Sequence, residues 1–212
     1  MNVLDTLRRV LIANELGGHS GLAYRFSDPD GREGRSGYSF GVCQFDLAHN
    51  PARAAGILSE CGFSETEIGA LKQQCVSAEA LAAHNRRLVE QAAVIDRADA
   101  EEIAQIIVHV RQVVANRGLQ LADNETFIHL CDYHNQFHLD FDGKFVRHFL
   151  HMNEPVDAVH MLTYKLGTAW GAKRPDDVKR RWNNVVRICR EIMHARVDEI
   201  RANHTNRGGN HG

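Results

Sequence analysis

Glu15 stands in an unusual place for a carboxylate. It falls in the last turn of an amphipathic stretch, just before Gly17-Gly18, where the negative end of a helix dipole opposes it. A surface helix favours Lys or Arg there, and departures from local preference concentrate at functional sites. A carboxyl so placed suits general acid catalysis, because a helix end and a partly apolar wall both favour the protonated form. Asp28, Asp30 and Asp46 follow as candidates for a second carboxylate that activates water or offsets developing positive charge. Ser39 lies between them, with a hydroxyl able to orient a water. The ordinary readings are a solvated Glu15 and turn-forming Asp28 and Asp30. His134 and His138 are four apart, a spacing that can bind zinc on a helix. Asn135 stands where the zinc-protease motif needs Glu, so no metal and no other cofactor is expected. Cys43 with His49 is a conceivable thiol nucleophile and base. Cys43 is equally a small buried apolar residue.

The elements that must position these residues read as mainly helical. Val3, Leu4, Leu7, Val10 and Leu11 give residues 2–16 one apolar face, and the glycine pair ends that helix. Residues 19–46 differ: glycine recurs, Ser27-Asp28-Pro29-Asp30-Gly31 is a strong turn signal, and short aromatic pieces, 22–26 and 38–42, flank it. That segment predicts a small β-hairpin or loop-rich lobe. From Pro51 the pattern is helical, with a capping box at Ser64-Glu65-Thr66-Glu67. Helical spacing covers 77–95 and 99–116 with a break at Asp96–Asp99, then 124–137, 142–152, 154–166 and 176–200. The expected fold class is mainly α, one helical domain over 1–202 with a β-lobe at about 19–46. A polar, glycine-rich tail at 203–212 is expected to fray.

The order of these features resembles the lysozyme-like superfamily. Glu15, Tyr24, Asp28-Pro29-Asp30-Gly31 and Ser39-Phe40-Gly41 look like the phage-type pattern of helix, Glu, Tyr, Asp-x-x-Gly turn and Thr-Ile-Gly hairpin. Ser39 stands where that family has Thr. Tyr38-Ser39-Phe40-Gly41-Val42-Cys43-Gln44-Phe45-Asp46 is similar to the Gly-Leu-Met-Gln motif of goose-type lysozymes and lytic transglycosylases. Further on, Tyr133-His134-Asn135 looks like the superfamily's aromatic-x-Asn helix, and Arg180-Arg181-Trp182 like the Arg-Arg pair of phage lysozymes. The resemblance implies a peptidoglycan glycosidase that cuts between N-acetylmuramic acid and N-acetylglucosamine. Glu15 would be the acid in both comparisons. Asp28 and Ser39 would position water or stabilise the transition state. Tyr24, Asp30, Gln44, Asp46, Tyr133 and Asn135 would shape the sugar site. Asp28 fits one family's spacing and Asp46 the other's, so the second carboxylate stays open. A lytic transglycosylase, a chitosanase or chitinase, and an inactive saccharide-binding relative are the alternatives.

Composition sets outer bounds. The chain has 212 residues, 43% hydrophobic and 25% charged, with a net charge of -2. That balance gives no whole-chain attraction to nucleic acid or anionic membrane, although Lys165–Arg201 is locally basic, with ten Lys/Arg against five Asp/Glu. The five cysteines are odd in number and scattered, without a CxxC pair, which argues against a disulfide framework or zinc knuckle. No stretch approaches the roughly 18 apolar residues of a membrane span, and the N-terminus does not read as a signal peptide. The expectation is a monomer made in the cytoplasm, with peptidoglycan or a related amino-sugar polysaccharide as partner. It would reach the wall through a holin, as an endolysin, or through secretion machinery as an antibacterial effector with an immunity protein.

Overall fold

The computed structural model describes residues 2–28 and 36–207, with side chains as far as residue 199. Asp30, with the Gly31 of its turn, lies outside the described residues, as do residues 208–212 of the predicted tail. The described chain is mainly helical, with one small two-stranded antiparallel sheet near its start, as the sequence leads one to expect. Among the described residues no helix is long and apolar enough to cross a membrane.

Helix α1 spans Val3–Glu15. Gly17 and Gly18 then take φ of 59° and 88°, and the Gly18 N–H donates back to the Ile12 carbonyl at 3.0 Å. The two left-handed glycines turn the chain back on the last helical turn, so that Glu15 is the last helical residue. A short 3-10 helix, Ser20–Tyr24, follows. Strands β1 (Ser39–Phe40) and β2 (Phe45–Asp46) pair with Ser39 opposite Asp46. The hairpin therefore turns at residues 41–44, and of the two aromatic pieces only 38–42 supplies a strand. Just after the earlier piece, Ser27 forms an isolated bridge to Ser39.

Helices α2 (Pro51–Glu60) and α3 (Glu65–Lys72) begin where the sequence signals them, at Pro51 and at the Ser64/Glu67 capping box. Helix α4 (Ala78–Glu90) is capped by the Ser77 side chain, and α5 (Ala92–Arg117) runs unbroken through Asp96–Asp99. The predicted break there is wrong; the interruption falls at Gln91. Helix α6 (Asn124–Phe137) follows, capped by Asp123, then α7 (Lys144–Phe149) and α8 (Ala158–Gly167). A five-residue α9 (Ala169–Lys173) was not foreseen, and α10 runs from Pro175 to Arg207.

The chain forms two compact units, one of Leu11–Gln105 and one of Met1–Val10 with Ile106–Gly212. The core of the first gathers Phe26, Phe40, Phe45, Ile57, Leu58, Phe63, Leu71, Leu88 and Ile95. Phe26 meets the rings of Phe40 at 5.6 Å and Phe63 at 6.2 Å, both edge to face. Burying the lobe's aromatics together with α2, α3 and α4 is what holds a sheet too short to be stable alone.

In the other unit α6, α8 and α10 pack on one another around Ile128, Leu130, Met161, Val178 and Val185, all at most 1% exposed. Inside this apolar packing lies a buried ion group. Arg181 on α10 reaches Asp132 on α6 through Nη2 at 2.6 Å and Nε at 3.3 Å, and Lys165 Nζ on α8 is 3.8 Å away from the same carboxylate. One carboxylate thus joins three helices, and Arg181 sits there as a structural cation. Gly171 is required nearby, because a Cβ on it would come within 1.9 Å of the Lys165 carbonyl oxygen.

Removing one partner from a buried pair strands the other's charge, at about 3–5 kcal/mol. Asp132→Ala takes the shared carboxylate from two cations and is expected to cost more than Arg181→Met, which leaves Asp132 its Lys165 partner. Urea unfolding of the two variants and wild type measures the order directly.

Candidate active site

The unit Leu11–Gln105 holds Glu15, Tyr24, Asp28, Ser39, Gln44 and Asp46. Glu15 is half-buried. Its charge is felt at Cys43, on the loop that joins the two strands. That loop begins at Gly41, with φ 78°. A Cβ on Gly41 would meet the Phe45 ring at 2.8 Å and Asp99 Oδ1 at 2.9 Å, so only glycine fits.

Asp99 is fully buried on α5 and fixes the loop. Its Oδ2 accepts the Val42 N–H at 2.9 Å and its Oδ1 the Cys43 N–H at 3.0 Å. Gln44 then turns into the left-handed region, φ 54°, which is uncommon for a residue with a Cβ. Its side chain closes a polar knot. Nε2 donates to the Gly41 carbonyl at 2.8 Å, while Oε1 accepts from Ser39 Oγ at 3.1 Å and Ser27 Oγ at 3.2 Å. The two serine hydroxyls are themselves 3.0 Å apart. The Ser39 hydroxyl is therefore held in the lobe, 5% exposed with its residue.

Tyr24 donates its phenol hydrogen to Asp96 on α5 at 2.9 Å, and the Phe26 N–H is taken by Asn85 on α4 at 2.9 Å. These contacts seat the chain between the 3-10 helix and the bridge. Asp28 accepts from Gln74 Nε2 at 3.3 Å, and the same amide nitrogen donates to the Ser36 carbonyl at 3.2 Å. Gln74 thereby ties both ends of the 28–36 segment.

Asp46 is committed to the backbone. Its Oδ1 accepts N–H groups of Ala48, Gly37 and His49 at 2.6, 3.2 and 3.2 Å, and its Oδ2 meets His49 Nδ1 at 3.0 Å. Burial alone raises its pKa, but the hydrogen bonds from Ala48, His49 and Gly37 outweigh it and the net shift is downward. A carboxylate stabilised in this way is a poor proton store and a strong turn-former.

The Cys43–His49 alternative loses its basis. Burial first, then Asp99, Glu102 and Glu15, push the Cys43 thiol well above its usual range, and His49 is engaged by Asp46. Such a sulfur stays a thiol, not a thiolate. Cys61, Cys131 and Cys189 are buried and all five cysteines are free.

Tyr133 and Asn135 belong to the other unit. Tyr133 packs against Phe145 at 4.6 Å and Phe137 at 5.2 Å, and burial with its Tyr164 neighbour raises its phenol pKa. Tyr133 also lines a 720 Å³ cleft with Phe137, His138, Asp140, Phe141 and Lys144. His134 is not poised for zinc, since its Nδ1 accepts the Leu139 N–H at 3.1 Å. Among the described residues no group of three or more His, Cys, Asp or Glu is arranged to hold a metal ion.

The positioning residues Ser27, Gln74, Asn85, Asp96 and Asp99 were missed from sequence. For Asp99 a signal existed: it shares a helical face with Ile95, Ala98, Ile103 and Ile106, all buried, and a charge on an apolar stripe needs a partner. The chain matches no protein-family model, no curated protein and no solved structure.

Two outcomes follow from this geometry. Asp99→Ala strands two buried N–H groups, on the order of 1–3 kcal/mol each, and is expected to lower the thermal midpoint and release Gln44. The linkage of Asp46 has a definite sign. Its folded pKa lies below the unfolded value, so its stabilisation is complete above about pH 4 and is lost as pH falls through the folded value. Unfolding free energies of wild type and Asp46→Asn between about pH 5 and pH 2 are expected to converge on acidification.

Proposed function

We propose that this chain is a peptidoglycan glycosidase of lysozyme type, with Glu15 as the general acid. The observation that supports it is the seating of Glu15. It is the last residue of α1, half-buried and closed by a left-handed glycine pair. Its charge acts on the loop whose next residue, Gln44, gathers Ser27 and Ser39. A protonated Glu15 would give its proton to the glycosidic oxygen as the C1–O bond breaks. Asp28 would face the developing oxocarbenium-like sugar or activate water. Gln44 and Ser39 would shape the lobe side of the sugar site, and Tyr24 would hold that segment through Asp96.

A specific observation favours a second reading within the class. Asp46 is taken up by three backbone N–H groups, and the Ser39 hydroxyl is bound into the Gln44 knot. That leaves fewer groups to activate water. In a lytic transglycosylase one carboxyl suffices: Glu15 protonates the leaving oxygen, and the substrate's own 6-hydroxyl closes on C1 and returns a proton to Glu15. Delivery to the wall, by a holin or by secretion machinery, belongs to the same proposal.

The test is clearing of purified peptidoglycan by wild type and Glu15→Gln. Loss of general acid catalysis is expected to slow clearing by about 10²–10⁴-fold, with the circular dichroism unchanged. Inert wild type, or a fully active Glu15→Gln, would sink the reading. Mass spectrometry of the products separates reducing ends from anhydro-sugars. Asp28→Asn is expected to abolish hydrolysis but spare anhydro-sugar formation. Chitosan as substrate tests the chitosanase alternative.

A further inference from the structure

The unit that holds α6 contains a polar cluster with no part in the proposed reaction. Three imidazoles cluster at the end of α6. His109 on α5 lies 4.5 Å from His134 and 5.8 Å from His138, and His134 lies 4.8 Å from His138, centroid to centroid. Phe141 meets the His109 ring at 5.6 Å.

Two of these rings grip one residue from both sides. His134 Nδ1 accepts the Leu139 N–H at 3.1 Å, and His109 Nε2 is 2.7 Å from the Leu139 carbonyl. A carbonyl only accepts, so His109 Nε2 carries the hydrogen of that bond. A backbone N–H only donates, so His134 Nδ1 is unprotonated and the ring is neutral. Leu139 is 1% exposed and follows His138, whose φ of 55° makes the sharp exit from α6. The segment that starts here, through Gly143, forms much of the wall of the 720 Å³ cleft.

We propose that His109, His134 and His138 form an acid-sensitive latch on Leu139, which holds the 138–143 segment closed when the rings are neutral and frees it when His134 takes a proton. Protonation puts a hydrogen on Nδ1 and abolishes the acceptor that Leu139 needs. It also sets a cation against two neighbouring imidazoles. The His109 bond survives, because a charged ring still donates from Nε2. The latch is therefore asymmetric, and His134 is its trigger.

The groups facing His134 agree in direction. Burial comes first, then His109 and His138, and together they press its pKa down to about 4, while Asp140 alone pulls upward. A folded value below the usual 6.5 means that the open state binds the proton more readily. Opening thus becomes easier as pH falls from the open-state value towards about 4. On the far side the segment is held by Arg117 and Asp142. That pair has an Asp side chain 77% exposed and is too solvated to keep the segment closed by itself.

The test is residue-resolved amide exchange of the full chain, corrected for the intrinsic pH dependence. Wild type is expected to lose protection at Leu139 by about tenfold or more between about pH 7 and pH 4.5, while amides of α10 stay protected. His134→Asn keeps an acceptor near the Nδ1 position but does not titrate, and is expected to hold Leu139 protected across the range. Adding His109→Gln keeps a donor to the Leu139 carbonyl and removes a neighbouring imidazole, with the same expectation. Leu139 protection that stays level in wild type overturns the proposal. So does loss of Leu139 and α10 protection together, which would mean global acid unfolding. A His134→Asn chain that opens with the wild-type pH dependence overturns it as well.

Discussion

A carboxylate buried in an apolar helix face is expensive unless its charge is met, and Asp99 meets its need with backbone. It is fully buried, and two successive N–H groups, Val42 and Cys43, point at its two oxygens. That pairing fixes more than itself. Because a Cβ on residue 41 would crowd the Phe45 ring and Asp99 Oδ1, and because its φ is 78°, the position must be glycine. Gln44 then leaves the turn in a left-handed conformation, with its amide facing Gly41 and its carbonyl facing two serines. A strand pair of two residues each cannot hold this arrangement by its own ladder. The anion on α5 holds it instead, with Phe26, Phe40 and Phe45 sealing the apolar side.

The same constraint distributes roles among the acids of this unit. Asp96 accepts from Tyr24, Asp99 from the loop, Asp46 from three N–H groups, and Asp28 from Gln74. The acids are alike in sequence and differ in what surrounds each one. A carboxylate surrounded by N–H donors is stabilised as an anion and is unsuited to giving up protons. Glu15 comes from a different element, the end of α1, where the dipole works in the opposite sense. Asp28, Asp46, Asp96 and Asp99 are thus each committed to a hydrogen-bond donor, and the backbone N–H groups around Asp46 hold its pKa below the ordinary carboxylate value.

The helical character was legible because long amphipathic stretches carry their own signal. The end of α1 at Gly17-Gly18, Pro51 at the start of α2 and the Ser64 capping box were readable, since each is a local rule acting within a few residues. The error at Asp96–Asp99 has the opposite cause. Two acids inside a helix look like a break until their partners are known, and those partners lie 72 and 57 residues away in Tyr24 and Val42. Sequence spacing carries no information about such pairs. The strand ends and register inside the 19–46 lobe were not legible for a related reason: two-residue strands are too short to show alternation. Ser39 and Gln44 were legible as a motif, but their mutual hydrogen bond was not.

Helix α6 shows how one element handles polar groups in opposite ways. At Asp132 the charge is kept and balanced by Arg181 and Lys165. One turn earlier His129 is kept neutral: burial first, and then Lys165, hold its pKa down to about 4, against the pull of Asp132. Its ring stacks on Trp182 at 6.0 Å, where a charged ring would add the cost of burying a cation. Burial outweighs the pull of Asp132, so His129 stays neutral and the α6–α10 packing keeps a single charge state near neutral pH. Acid reverses this, because an unfolded chain accepts at His129 the proton that the folded one refuses. The α6 helix is thus stabilised by a paired charge at Asp132 and by a histidine kept neutral, and the contribution of His129 falls away as pH drops from 6.5 towards about 4.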